Sequence, residues 1–245
     1  MSTSERLFDS DAYARTAEGR VEAHVDLGDG QIGVVLDRSL FYPTGGGQPG
    51  DTGQLSWAGG QCHVSTTQKG QAGGIVLVLA DGDVPPEVGA TVTQTLDWQR
   101  RYGHMRVHTA LHLLSVVIPF PVSGGAITAE KGRLDFNMPE APADKQAVQE
   151  QLQALIDRDL DVGDDWITDA ELNANPQLVK TMSVAPPRGA GRVRLVRIGT
   201  EDEQVDLQPC GGTHVGRTAE IGRIRIGKIE KKGKQNRRIY LHLEG

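Results

Sequence analysis

Two residue pairs far apart in this 245-residue chain constrain its fold more than any other feature: His108-Thr109-Ala110-Leu111-His112 and Cys210-Gly211-Gly212-Thr213-His214. Within a helix, imidazoles four residues apart stand one above the other on the same face. Such a pair on its own is common on solvated helices. The second pair changes its meaning, because a thiolate and an imidazole are again four apart, this time in a glycine-rich turn. Two ligand pairs make one tetrahedral site, and mixed Cys/His ligation makes zinc its natural guest in preference to the oxygen-loving cations. A closed set of four protein ligands is the signature of structural zinc, whereas catalysis keeps one position for water or substrate. Three roles are compatible with the set: a ligand such as His214 yields during a reaction, the metal expands its coordination, or it shapes a pocket and orients a substrate.

The segments around these pairs differ in character. Val21 to Asp26 and Gln31 to Leu36 are strand-like and flank Gly28-Asp29-Gly30, a turn composition that predicts a β-hairpin. Arg38 to Tyr42, Gly60 to Ser65, Gly74 to Leu79 and Thr91 to Leu96 are further short strand-like runs bounded by Gly, Pro or Asp. Asp81 to Gly89 carries Pro85-Pro86 and has the composition of an exposed connection, which puts a domain boundary near residue 90. A helix is predicted from about Asp97 to Val117, with Val107, Leu111, Leu114 and Ile118 along its apolar side and His104, His108 and His112 on an adjacent stripe. A second helix runs from roughly Asp144, its cap, to Leu160, burying Val148, Leu152, Leu155 and Ile156. Val193 to Ile198, Gln204 to Leu207, Ile221 to Ile229 and Arg238 to Leu243 supply strands, the last two joined by a basic hairpin from Lys231 to Asn236. No repeat of solenoid length is present.

Composition narrows the function. Hydrophobic residues make up 38% and charged residues 24%, a globular balance. The longest uninterrupted apolar run is Ile75 to Ala80, far short of a membrane span, and the opening Met-Ser-Thr-Ser-Glu-Arg has no apolar core of a signal peptide, so no membrane association and a cytoplasmic location are expected. Cys62 and Cys210 do not make a disulfide framework; Cys62-His63 lies in a strand-like run and reads as a packed thiol beside an ordinary histidine. The net charge of -6 hides an asymmetry, since Arg188 to Arg238 holds thirteen Lys/Arg against six Asp/Glu. Asp164-Asp165 and Glu201-Asp202-Glu203 read as solvated loops without chemistry. The stretch Phe41 to Gly53 is too glycine-dense for a strand interior and presents Thr44, Gln48 and Asp51 in a loop. It matches neither the phosphate loop of nucleotide hydrolases nor the dinucleotide fingerprint, and no nucleotide cofactor is expected.

Taken in order, Phe41-Tyr42-Pro43-Thr44-Gly45-Gly46-Gly47-Gln48, His108-x-x-x-His112 and Cys210-x-x-x-His214 resemble the editing domain of alanyl-tRNA synthetase, and the chain is similar to the free-standing form of that domain, the AlaX family. Arg6-Leu7-Phe8 with Asp11 and Tyr13, Arg133-Leu134-Asp135-Phe136, Glu220-Ile221-Gly222 and Arg237-Arg238-Ile239 add to the resemblance, which spans nearly the whole chain. The resemblance implies an α+β fold: an N-terminal β-barrel-like domain (1–90) bearing the Gly-rich loop, followed by a zinc-binding α+β editing domain (91–245) of the threonyl/alanyl-tRNA synthetase type. It implies a trans-editing hydrolase that cleaves the ester linking serine, and in some members glycine, to alanine tRNA. One zinc would be held by His108, His112, Cys210 and His214. Gln48 matches a position associated with editing, and Thr44 is the candidate partner for the serine hydroxyl; with Cys210 these make up the catalytic set.

A second sieve of this kind has a physical rationale. A site that hydrogen-bonds a hydroxyl leaves polar groups unpaired when alanine enters, which gives discrimination of about 10⁴-fold or more. Lys231, Lys232, Lys234, Arg237 and Arg238 are the expected contacts to the tRNA backbone. His104 is read as a helix-surface histidine, with a helper role in catalysis as the sharper alternative. Rival functions are an editing deacylase for a different tRNA and a non-catalytic zinc-stabilised RNA-binding module. A metalloprotease is disfavoured because His108 is not followed by the glutamate of that motif.

Overall fold

The computed structural model describes residues 3–182 and 191–245; the first two residues and 183–190, with the Arg188 of the basic count, lie outside the described residues. The chain divides into two compact units, Met1–Tyr102 and Gly103–Gly245.

The first unit is a closed six-stranded barrel. Its strands are β1 (Thr16–Asp26), β2 (Ile32–Leu36), β3 (Gly53–Trp57), β4 (Gly60–Lys69), β5 (Ile75–Leu79) and β6 (Thr91–Leu96), in the order β1-β2-β5-β4-β3-β6. All neighbours are antiparallel, and closure between β1 and β6 leaves no open sheet edge. The expected hairpin is present: Gln31 N–H donates to Gly28 O at 2.9 Å, and Gly28, Asp29 and Gly30 all take the positive φ such a turn requires. Strand β6 shows why the sequence folds this way. Val92, Gln94 and Leu96 point inward while the threonines between them face out, and the buried Gln94 amide accepts from Leu40 N at 2.9 Å and donates to Arg38 O at 3.1 Å. Because β6 pairs with both β1 and β3, the boundary expected at residue 90 moves to Tyr102: removing Thr91–Leu96 would open the barrel.

Helix α1 (Trp98–Val117) follows. Its Arg101 lies in the first unit, wholly buried, where Nε donates to Asp51 Oδ2 at 2.8 Å and Nη2 to Leu40 O at 2.8 Å. The same Asp51 oxygen accepts from Tyr42 N at 2.7 Å, so one buried ion pair ties the glycine-rich loop to the chain that leaves the barrel.

In the second unit, β7 (Val122–Ile127), β8 (Lys131–Asn137), β9 (Val162–Thr168), β10 (Arg192–Gly199), β11 (Gln204–Pro209), β12 (Arg223–Lys231) and β13 (Asn236–Glu244) form two antiparallel sheets, ordered β12-β13-β8-β7 and β9-β10-β11, with helix α2 (Lys145–Asp157) between β8 and β9 in the chain. The expected apolar side of α1 is buried, with Val107, Leu111 and Leu114 at most 4% exposed. The helix reaches β8 closely enough that a Cβ on Gly132 would lie 2.6 Å from Val107 and 2.9 Å from Leu111. Asp144 caps α2 as expected, accepting from Gln146 N and Ala147 N. Asp164-Asp165, expected in a loop, instead lies in β9, where Asp164 pairs with Arg194 at 2.6 Å and Asp165 with Arg197. Within the described residues, no helix is long and apolar enough to cross a membrane.

Leaving a buried charge without its partner costs about 3–5 kcal/mol, whereas replacing both partners costs far less. Asp51→Ala is therefore expected to lose stability on that scale in urea denaturation, and Asp51→Ala with Arg101→Met to recover much of it. Equal losses in the two variants would mean that the carbonyl contacts of Arg101, rather than its charge, hold the loop.

Candidate functional site

Helix α1 supplies His108 and His112, their ring centroids 5.4 Å apart, and the chain leaving β11 supplies Cys210 and His214. Their donor atoms all lie within 4.8 Å of one another. Cys210 Sγ is 3.5 Å from His108 Nε2 and 3.3 Å from His214 Nε2. With Zn–S near 2.3 Å and Zn–N near 2.1 Å, a tetrahedral N–S edge is about 3.6 Å. The three imidazoles are buried and the cysteine half-buried.

Two hydrogen bonds set the tautomers. The Asp206 carboxylate can only accept, so His112 Nδ1, 3.0 Å away, carries the proton and leaves Nε2 for a ligand. Thr109 Oγ1 donates its single proton to Met105 O at 2.9 Å, so toward His214 Nδ1 at 3.1 Å it accepts, and His214 is set in the same way. Orienting contacts of this kind are what metal-ligating histidines require. Arg194 braces the turn, donating to Cys210 O at 3.2 Å and Gly212 O at 2.7 Å. The donor set and these second contacts fit a tetrahedral metal.

In the absence of a metal the electrostatics divide the donors. Burial pushes the Cys210 thiol up, but the charges of His108 and His214 more than reverse this and hold it well below its ordinary value. Burial, with repulsion from His108, drops His214 well below an ordinary histidine. His112 moves the other way, to about 9, because the hydrogen bonds to Asp206 and Cys210 outweigh its burial. Asp206 is likewise pulled below the carboxylate range against its burial, by His112 and by Lys180, whose Nζ is 2.6 Å away.

Sequence reasoning missed Asp206 and Thr109, which hydrogen-bond the cluster's histidines, and Gln208, which hydrogen-bonds Asp206. A signal existed: in Gln204-Val-Asp206-Leu-Gln208 the alternation buries Asp206 and Gln208 while Val205 and Leu207 are only half-buried, an inverted pattern for a strand. His104, read as a helix-surface residue, is instead fully buried.

The glycine-rich loop belongs to the first unit. Gly45 and Gln48 bond each other in both directions at 3.0 Å around Gly46 and Gly47, whose φ values of 59° and 85° suit glycine. Gln48 is buried at 1% exposure. The Thr44 hydroxyl accepts from Gly50 N at 2.9 Å and donates to Thr67 O at 3.2 Å, which stitches the loop to β4. Cys62 is a packed thiol in the barrel core, pushed up to about 11 mainly by burial, and His63 is an exposed neighbour of Asp83.

The basic residues of the C-terminal hairpin divide. Arg237 is buried against the carbonyls of Gly233, Asn236 and Pro139, and Arg238 holds Asp135 at 2.7 Å. Lys232 pairs with Glu230 at 3.1 Å, while Lys231 and Lys234 stand exposed.

The family described as "Threonyl and Alanyl tRNA synthetase second additional domain" matches residues 193–240, and "tRNA synthetases class II (A)" matches 8–100. The alanyl-tRNA editing protein AlaX-M of Methanosarcina acetivorans is 33% identical over 98% of this chain and 99% of its own length. That of Saccharolobus solfataricus is 33% identical over 97% of this chain and 98% of its own. The alanine–tRNA ligase of Pyrobaculum calidifontis is 36% identical over 92% of this chain, which spans only 25% of that enzyme. With end-to-end matches of this kind added to the four-donor cluster and the glycine-rich loop, the chain belongs to the AlaX-M family of alanyl-tRNA editing proteins.

Proposed function

We propose that the protein is a trans-acting deacylase that hydrolyses the ester of serine on mischarged alanine tRNA in the cytoplasm, with one zinc held by His108, His112, Cys210 and His214. The observation that carries this reading is the four-donor cluster with its tautomers fixed by Asp206 and Thr109. Bound there, zinc would supply Lewis-acid polarisation of an ester carbonyl or a water of lowered pKa. The protein's own part is to orient the donors and to lower the pKa of Cys210; Arg194 keeps the Cys210–Gly212 turn in place.

Gln48 and Thr44 are carried over from the family resemblance as the residues that read the amino acid. Gln48 offers a carboxamide with both donor and acceptor. Thr44 has its proton committed and one lone pair remaining, so toward a serine hydroxyl it acts as an acceptor. Such pairing favours serine over alanine because alanine leaves the polar groups unmatched. Lys231 and Lys234 are the cations open to phosphates, with Lys232 beside them; Arg237 and Arg238 act by holding the hairpin.

The closed donor set favours a second reading, a non-catalytic zinc-stabilised RNA-binding module, and an editing deacylase for another tRNA is the nearer rival. Release of labelled amino acid from Ser-tRNA(Ala), Gly-tRNA(Ala) and Ala-tRNA(Ala) separates them. Serine release with alanine spared is expected, with large losses in Cys210→Ala and Gln48→Ala assayed at matched zinc. No release from any substrate would favour the binding module, and release only from another charged tRNA would favour the rival editor.

The orienting contact makes a separate prediction. Removing a partner of this kind costs about 10–100-fold in metal affinity. Asp206→Ala is expected to lose zinc to a competing chelator at correspondingly lower chelator concentration, with the fold preserved by circular dichroism. Unchanged retention would show that Asp206 does not orient a ligand.

A further inference from the structure

We propose that Trp166, with Arg192 over its ring, is a stacking platform for an unpaired base at the 3′ end of the RNA whose ester is handled at the cluster. The inference rests on the hydrolase reading above and adds where the substrate's last bases are held.

The argument starts from strand parity. In the sheet β9-β10-β11, Trp166 lies directly opposite Arg194 and Asp164 opposite Val196, while Val196 lies opposite Gln208 and Ile198 opposite Asp206. Residues paired in this way share a face. One face of the sheet therefore carries Asp206, Gln208, Val196, Ile198, Arg194, Arg192, Asp164 and Trp166. Its two ends differ. At one end Val196, Ile198, Asp206 and Gln208 are buried, and Asp206 meets His112. At the other, Trp166 is 45% exposed and Arg192 is exposed. The cluster sits at the border between them, because Arg194, the cross-strand neighbour of Trp166, is the residue that grips the Cys210–Gly212 turn.

The open end has the chemistry of single-strand recognition. Trp166 is the most exposed of the three tryptophans, and the Arg192 guanidinium lies 5.8 Å from its ring centroid, within cation–π range. Arg194 and Arg197 are neutralised by Asp164 and Asp165, whereas Arg192 has no ion-pair partner among the described residues. A half-exposed aromatic ring beside an exposed guanidinium suits a base and its phosphate, since every base has a π-face and the strand carries the negative charge. The geometry also fits the substrate: only a ribose separates a terminal base from the ester it bears, and Arg194, paired with Trp166 across the two strands, is the residue that bonds the cysteine turn.

The test compares Trp166→Ala and Trp166→Phe with the wild type in two assays. In deacylation of Ser-tRNA(Ala), Trp166→Ala is expected to raise KM by about 5- to 100-fold with kcat and zinc content kept, and Trp166→Phe to recover most of the loss. In binding, the wild type is expected to prefer intact uncharged tRNA(Ala) to the same RNA lacking its single-stranded 3′ end, and Trp166→Ala to bind the two alike. A Trp166→Ala KM within about twofold of the wild type, or undiminished preference for the intact 3′ end in that variant, would overturn the proposal. The binding assay uses uncharged RNA, so it decides for or against the platform even where the hydrolase reading fails.

Discussion

The second unit is organised around a buried carboxylate. Asp206 is 2% exposed, and an ionised carboxylate taken out of water costs several kcal/mol unless it is fully compensated. Three donors compensate it: His112 Nδ1, Lys180 Nζ and Gln208 Nε2, the last at 2.7 Å. Satisfying Asp206 fixes the parity of β11, which must turn its polar residues inward and leave Val205 and Leu207 half-exposed. Continued past the end of the strand, that parity leads from Asp206 and Gln208 to Cys210. The residue that orients the helical His112 and the cysteine of the cluster are thus products of one choice of strand face.

The first unit repeats the device with different chemistry. Asp51, 1% exposed, is compensated by the Arg101 guanidinium and the Tyr42 N–H, and it stands where the glycine-rich loop returns toward β3. The loop is tight rather than loose. Gly50 lies against the Thr67 backbone so closely that a Cβ would sit 2.1 Å from Thr67 O, and Gly46 and Gly47 take conformations that side chains disfavour. Its glycines therefore permit close approach and sharp turning, and the fixed carboxylate supplies the order that a glycine-rich segment lacks by itself.

How legible this was in the sequence depended on whether the signal was local. The His108/His112 and Cys210/His214 pairs, the helix bearing the first of them, the α2 cap and the Gly28–Gly30 hairpin rest on spacings within a few residues, and the structure brings the two pairs into one cluster and has the other features. Strands β3, β7, β8 and β9 were not predicted, for a common reason. Val122-Ser-Gly-Gly-Ala-Ile and Val162-Gly-Asp-Asp-Trp carry glycines and acids that disfavour strands, and it is their pairing partners, Arg194 and Arg197 for β9, that make them extended. The same non-locality hid Asp135, which turns Arg238 from a free cation into a structural one, and Asp206, whose partner is 94 residues away in the chain. The boundary moved from residue 90 to Tyr102 because proline composition marks an exposed connection but cannot tell whether the next strand closes the barrel.

The closed donor set raises the question of which ligand could give way to a substrate, and the orienting contacts rank two of them. His112 is held by a carboxylate, a charge-assisted bond that is itself locked by Lys180 and Gln208. His214 is held by the neutral hydroxyl of Thr109, and it lies on a turn after two glycines rather than within a helix. Displacing His112 would disturb the compensation of a buried charge and the helix that carries it; displacing His214 would break one neutral hydrogen bond and bend a glycine-rich segment. Of the two, His214 is the easier to release. Were a metal held by the four donors, that asymmetry would let the site open at His214 while the other three hold, as the proposed hydrolysis would require.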